Sequence, residues 1–89
     1  MIARRYVVRG RVQGVGYRNF AQQAAEECGV TGWVMNRDDG SVEALAVGGK
    51  EALDRFAGLL YRGPRWADVR HVEESEAAPE TGSGFRIRR

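Results

Sequence analysis

From residue 4 to residue 12 the chain alternates with a period of two. Tyr6, Val8, Gly10 and Val12 fall on one side; Arg5, Val7, Arg9 and Arg11 fall on the other. That period predicts a strand with one buried face and one solvated face. The rhythm changes over residues 17–28. Phe20, Ala21, Ala24, Ala25 and Cys28 form an apolar stripe at helical spacing, with Gln22, Gln23, Glu26 and Glu27 opposite. Gly29 supplies a C-terminal stop. Residues 30–36 return to β character around Trp33 and Val34, and Asp39-Gly40 brings turn chemistry. Residues 41–47 alternate Val42, Ala44 and Ala46 with Glu43, Leu45 and Val47, completing a hairpin. Residues 50–62 place Leu53, Phe56 and Leu60 on one helical face, and Gly63-Pro64 ends the helix. A fourth strand is expected over residues 67–74 and a polar loop over 74–84. Phe85 and Ile87 then alternate with Arg86 and Arg88 in a short last strand. Its charges suit a sheet edge, where they discourage further pairing.

The resulting order is β-α-β-β-α-β plus a terminal strand. This is the α+β, ferredoxin-like pattern, a mostly antiparallel sheet with two helices on one face. Right-handed crossovers place the first and third strands side by side. Eighty-nine residues suit one domain over 1–89, with no linker and no internal repeat.

Composition narrows the function classes. Hydrophobic residues make up 43% of the chain, enough for a modest core and against disorder. The net charge of +2 is too small to imply nucleic acid. Lys50 is the only lysine, every other member of the Lys+Arg set being arginine, a bias that a genome rich in G and C would also produce. The single cysteine, Cys28, excludes an internal disulfide and reads as a buried small hydrophobe. His71 is the only histidine, so a histidine-based metal site is not expected. No apolar run approaches the roughly 20 residues of a membrane span, and the N-terminus lacks a signal-peptide pattern. A cytoplasmic protein, with no membrane partner, is the expectation.

The stretch Gly10-Arg11-Val12-Gln13-Gly14-Val15-Gly16-Tyr17-Arg18 runs from a strand into a helix start. Glycines let backbone N–H groups turn inward, and successive inward N–H groups form an anion site. The helix adds the positive end of its dipole, and Arg18 adds a planar fork of donors. Gln13, Gly14, Val15, Gly16, Tyr17 and Arg18 are thus candidate phosphate-binding residues. An arginine in a first helical turn opposes the dipole, which favours an anion there. The plain alternative is a tight turn with a solvated arginine. Walker A is excluded, because the run lacks the lysine and the following hydroxyl. The dinucleotide fingerprint fails at Asn19, where a third glycine belongs. An RNA-recognition domain would carry aromatics on its third strand, and residues 41–47 have none. Metal transport would want a Cys-x-x-Cys pair, which is absent.

A second stretch sharpens the reading: Gly32-Trp33-Val34-Met35-Asn36-Arg37-Asp38-Asp39-Gly40-Ser41-Val42-Glu43. Together the two motifs closely resemble the acylphosphatase family. The resemblance extends over essentially the whole chain, including Gly29-Val30, Gly63-Pro64 and Phe85-x-Ile87. Gly16 stands where family members vary, and Trp66 where a smaller residue is common. The resemblance implies hydrolysis of acyl phosphates without metal or other cofactor. It also implies that the first motif binds phosphate and that Arg18 and Asn36 are catalytic.

The chemistry accords with that implication. A carboxylate leaving group has a pKa of about 4 and needs no general acid. Positioning and charge stabilisation then suffice, with Asn36 orienting a water for in-line attack. Without the companion motif, Asn36 would read first as a strand-end residue capping the hairpin turn through its side chain. Arg11 and Arg37 are assigned to solvated surface, with steering of an anionic substrate as the alternative, and Asp38, Asp39 and Gly40 to the turn. The C-terminal carboxylate is a candidate partner for Arg18. Inorganic phosphate is expected as product and inhibitor, and a monomer as the working form. Related domains begin larger carbamoyl-transfer maturation proteins, whereas a chain of this length suggests a free-standing enzyme. The competing function is a non-catalytic module that binds phosphate or nucleic acid.

Overall fold

A computed structural model describes residues 1–89. Five strands and two helices follow in the order β1 (Ile2–Arg11), α1 (Tyr17–Cys28), β2 (Thr31–Asn36), β3 (Val42–Gly48), α2 (Lys50–Arg62), β4 (Asp68–Ala77) and β5 (Phe85–Arg88). They build one sheet in the order β4-β1-β3-β2-β5. All neighbouring pairs are antiparallel except β2 with β5, which run parallel. The first and third strands lie side by side as expected, and β5 forms an edge.

Both helices pack on the sheet face that presents Tyr6, Val8, Val34, Val42, Ala44, Ala46, Val72 and Phe85. Ala21, Ala24, Ala25 and Cys28 of α1 meet Leu53, Phe56, Ala57 and Leu60 of α2 over this layer. The small residues of α1 let it sit close to the sheet, while α2 supplies the bulk. The rings of Tyr6 and Phe85 contact Phe56 edge-on, at 5.6 and 5.7 Å between centroids. Such aromatic pairs add stability beyond their buried area.

Two expectations need correction. The opposite sheet face is not simply solvated: Val7, Trp33, Leu45 and Val47 are buried there. Long charged side chains share that face. Arg5 pairs with Glu43, and the Arg88 guanidinium lies 4.5 Å from the centre of the Trp33 ring. Arginine stems shield apolar surface while the head stays wet. Second, β4 extends to Ala77, so the first part of the expected 74–84 loop is strand. Its exposed residues Glu73, Glu74, Ser75 and Glu76 pair through their backbones with Val7, Tyr6, Arg5 and Arg4. Hydrogen bonding to one neighbour does not require an apolar pattern, so the sequence carried no period-two signal there.

The register between β1 and β4 shifts at Arg9/Gly10. Gly10 has φ 129°, and a Cβ there would lie 2.1 Å from the Asp68 carbonyl oxygen. Only glycine tolerates both the dihedral and the approach. The bulge falls just before β1 leaves the sheet, and β1–β3 pairing has already ended at Val8 with Val42. The chain beyond it is free to turn toward α1.

Candidate active site

Residues 12–16 connect β1 to α1 without regular structure. Gly14 and Gly16 adopt left-handed conformations, φ 75° and 79°, and a Cβ on either would meet no protein atom within 4 Å. They are glycines because of their dihedrals, and the space before them is open. Gly16 caps α1 without any side-chain hydrogen bond, and no acidic residue stands in the first turn. The first helical bond is donated by Phe20 N–H to the Gly16 carbonyl at 3.0 Å. The N–H groups of Gly14, Val15, Gly16, Tyr17, Arg18 and Asn19 therefore donate to no backbone acceptor. A helix start with unspent donors and no compensating carboxylate has the electrostatics that favour an anion.

A cavity of about 520 Å³ opens over these groups. Val12, Gly14, Gly16, Tyr17, Arg18 and Asn19 line one side; Asn36, Ile87 and Arg89 line the other. Half-buried Arg18 makes no ion pair. No carboxylate side chain, imidazole or thiol lines the cavity. Nowhere does the chain gather three His, Cys, Asp or Glu side chains suited to a metal ion.

Asn36 reaches the cavity because it ends β2, and β5 brings its own end alongside: Val34 pairs with Ile87 and Met35 with Arg88. The hairpin that follows Asn36 is held by Asp39. The Ser41 hydroxyl and N–H both donate to Asp39 Oδ1, at 2.5 and 3.0 Å. Those bonds, with smaller help from Arg37 and Arg9, pull the Asp39 carboxyl down to about 2.

Of the residues expected at the phosphate site, Gly14, Gly16, Tyr17 and Arg18 line the cavity with Asn36. The side chains of Gln13 and Val15 do not. Val15 packs against the core, and the Gln13 amide donates to the Arg37 and Ser41 carbonyls at 2.8 and 2.9 Å. The Tyr17 side chain is fully buried, its hydroxyl donating to the Leu60 carbonyl at 2.7 Å, so its backbone faces the cavity role alone. The C-terminal carboxylate forms no ion pair with Arg18, although Arg89 lines the same cavity; the chain end lies one residue past the last β5 pair. Arg11 is engaged with the Trp66 carbonyl at 3.1 Å. Val12, Asn19, Ile87 and Arg89 were not anticipated. Asn19 was legible as a third residue of a helix start, whereas Ile87 and Arg89 depend on the β2–β5 register.

No helix is long and apolar enough to cross a membrane. A sequence model described as acylphosphatase matches residues 4–87. An acylphosphatase of Solibacter usitatus is 62% identical over 86 residues, covering 97% of this chain and 90% of the relative. The crystal structure of acylphosphatase from Bacillus subtilis superposes with a TM-score of 0.97 at 40% identity, covering 100% of both chains. A full-length HypF structure, in a phosphate- and nucleotide-bound form, matches at a TM-score of 0.85 and 25% identity; 97% of this chain covers 11% of that one. Family model, relative and fold agree, and the chain belongs to the acylphosphatase family.

Proposed function

We propose that this chain hydrolyses acyl phosphates to a carboxylate and inorganic phosphate, with Arg18 and Asn36 as its catalytic residues. The observation that carries the reading is one cavity holding a guanidinium without an acidic partner, a row of unspent helix N–H groups and the Asn36 carboxamide. The N–H groups of residues 14 to 18 and the Arg18 fork hold the phosphoryl oxygens. Asn36 orients a water in line with the bond to the acyl oxygen. A new water–phosphorus bond forms as the acyl oxygen leaves with its electron pair as carboxylate. The water proton passes to a phosphoryl oxygen, since the amide of Asn36 is no base.

No metal is needed in this scheme, and the lining offers no carboxylate side chain, imidazole or thiol to hold one. Product phosphate makes the same contacts as the substrate's phosphoryl group, so it inhibits competitively. Nucleic acid is not a partner in this reading. The open face of the two central strands presents Arg5, Val7, Arg9, Glu43, Leu45 and Val47, none of them an aromatic platform for bases. The working form is a cytoplasmic monomer, which sedimentation and fractionation test directly.

The functional test is leaving-group dependence. Benzoyl phosphate should be turned over rapidly and para-nitrophenyl phosphate hardly at all, because the site supplies no acid for the poorer leaving group. Equal rates on both would contradict the reading.

A further inference from the structure

The sheet does not fix the distance between Arg18 and Asn36. Pairing of β1 with β3 ends at Val8 with Val42, well before the loop and the hairpin tip. Beyond that point one side chain joins residues 12–16 to the hairpin by hydrogen bonds. Half-buried Gln13 donates from Nε2 to the Arg37 carbonyl at 2.8 Å and to the Ser41 carbonyl at 2.9 Å. Both amide protons are thereby spent on the hairpin.

Neither carbonyl depends on Gln13 for a partner. The hairpin's own backbone already serves both: Arg37 N–H donates to Ser41 O at 2.9 Å, and Gly40 N–H donates to Arg37 O at 3.2 Å. The bonds from Gln13 therefore add a tie rather than rescue a stranded acceptor. Arg37 is the residue directly after Asn36, so the tie acts one peptide away from the carboxamide in the cavity. We propose that Gln13 is a positioning residue: it docks the end of β2 to the phosphate loop and so sets Asn36 against a substrate held by Arg18. This role rests on the acyl phosphate hydrolysis proposed above. It takes the Gln13 side chain out of phosphate binding and gives it to the geometry of attack.

The test uses the full chain with Gln13→Met, which keeps length but has no N–H donor, and Gln13→Glu. With benzoyl phosphate, kcat of Gln13→Met is expected to fall about tenfold or more, since a misplacement of about 1 Å can cost about a hundredfold. The inhibition constant of inorganic phosphate should stay within about twofold, because the cradle is untouched. Gln13→Glu should regain kcat as pH falls and its carboxyl acquires an O–H donor; wild type should lack that acid limb. Hydrogen exchange at the Arg37 amide should quicken in Gln13→Met while the β1–β3 ladder is unchanged. Wild-type kcat in Gln13→Met, or equal losses in kcat and phosphate binding, would overturn the positioning role. A wild type that leaves benzoyl phosphate intact would overturn the underlying reaction instead, and the role with it.

Discussion

The Tyr17 hydroxyl donates to the Leu60 carbonyl oxygen at 2.7 Å, joining the first residue of α1 to the last turn of α2. Leu60 needs that donor. Its helical partner four residues on is Pro64, which has no N–H. Gly63 then ends α2 by donating to Leu59 O at 2.9 Å. Burial pushes the Tyr17 phenol up, so the donor proton is retained throughout the neutral range. One buried bond thus anchors the helix start that carries Arg18.

Tyr17→Phe keeps the ring and strands a buried acceptor. It should lower unfolding free energy by about 1–2 kcal/mol. Urea unfolding measures this, and an unchanged midpoint would mean that another donor reaches Leu60.

Gly10→Ala and Gly14→Ala should separate two reasons for glycine. At Gly10 an alanine meets the Asp68 carbonyl and an unfavourable φ, and the loss should exceed about 2 kcal/mol. At Gly14 the Cβ finds open space, leaving only the left-handed penalty of about 1 kcal/mol. The same unfolding measurement ranks the two, and equal losses would contradict the bulge argument.

Asp39 sets an acid limit on the hairpin. Its folded pKa is about 2 against an ordinary 3.8, chiefly through the Ser41 hydroxyl and N–H. A depressed carboxyl contributes stability above the unfolded value and loses it as pH falls through the folded one. The stability difference between wild type and Asp39→Asn should be constant above about pH 5 and shrink toward pH 2. A difference that does not change with pH would show that the carboxylate is not held as described.

Hydrolysis itself should be insensitive to pH between about 5 and 8. The lining contains no residue type that titrates there, since arginine stays charged and asparagine has no titrating proton. A bell-shaped kcat profile within that range would require a general acid or base that the cavity does not contain.

Much of this molecule is legible in its sequence, for identifiable reasons. The stripe from Phe20 to Cys28 and the Leu53, Phe56, Leu60 face betray helices because their periods match burial. Gly14, Gly16, Arg18 and Asn36 stand in two motifs that mark the candidate site, and all four line one cavity. What escapes is set by partners remote in sequence. Trp33 lies under the Arg88 guanidinium of another strand, which no local alternation reports. The polar end of β4 is a strand only because β1 lies beside it. Ile87 and Arg89 join the cavity through a parallel register between β5 and β2. The aims of Gln13 and Tyr17, one at the hairpin and one at α2, likewise exist only once the layers have packed.

The most direct measurement is benzoyl phosphate hydrolysis, with excess chelator, by wild type, Arg18→Ala and Asn36→Ala. Wild type should cleave the substrate rapidly despite the chelator. Loss of the fork or of the amide should each cost about a hundredfold or more in kcat/KM, the scale of removing an oriented donor from a developing charge. Folded variants as active as wild type, or activity that vanishes with the chelator, would contradict a metal-free site built from Arg18 and Asn36.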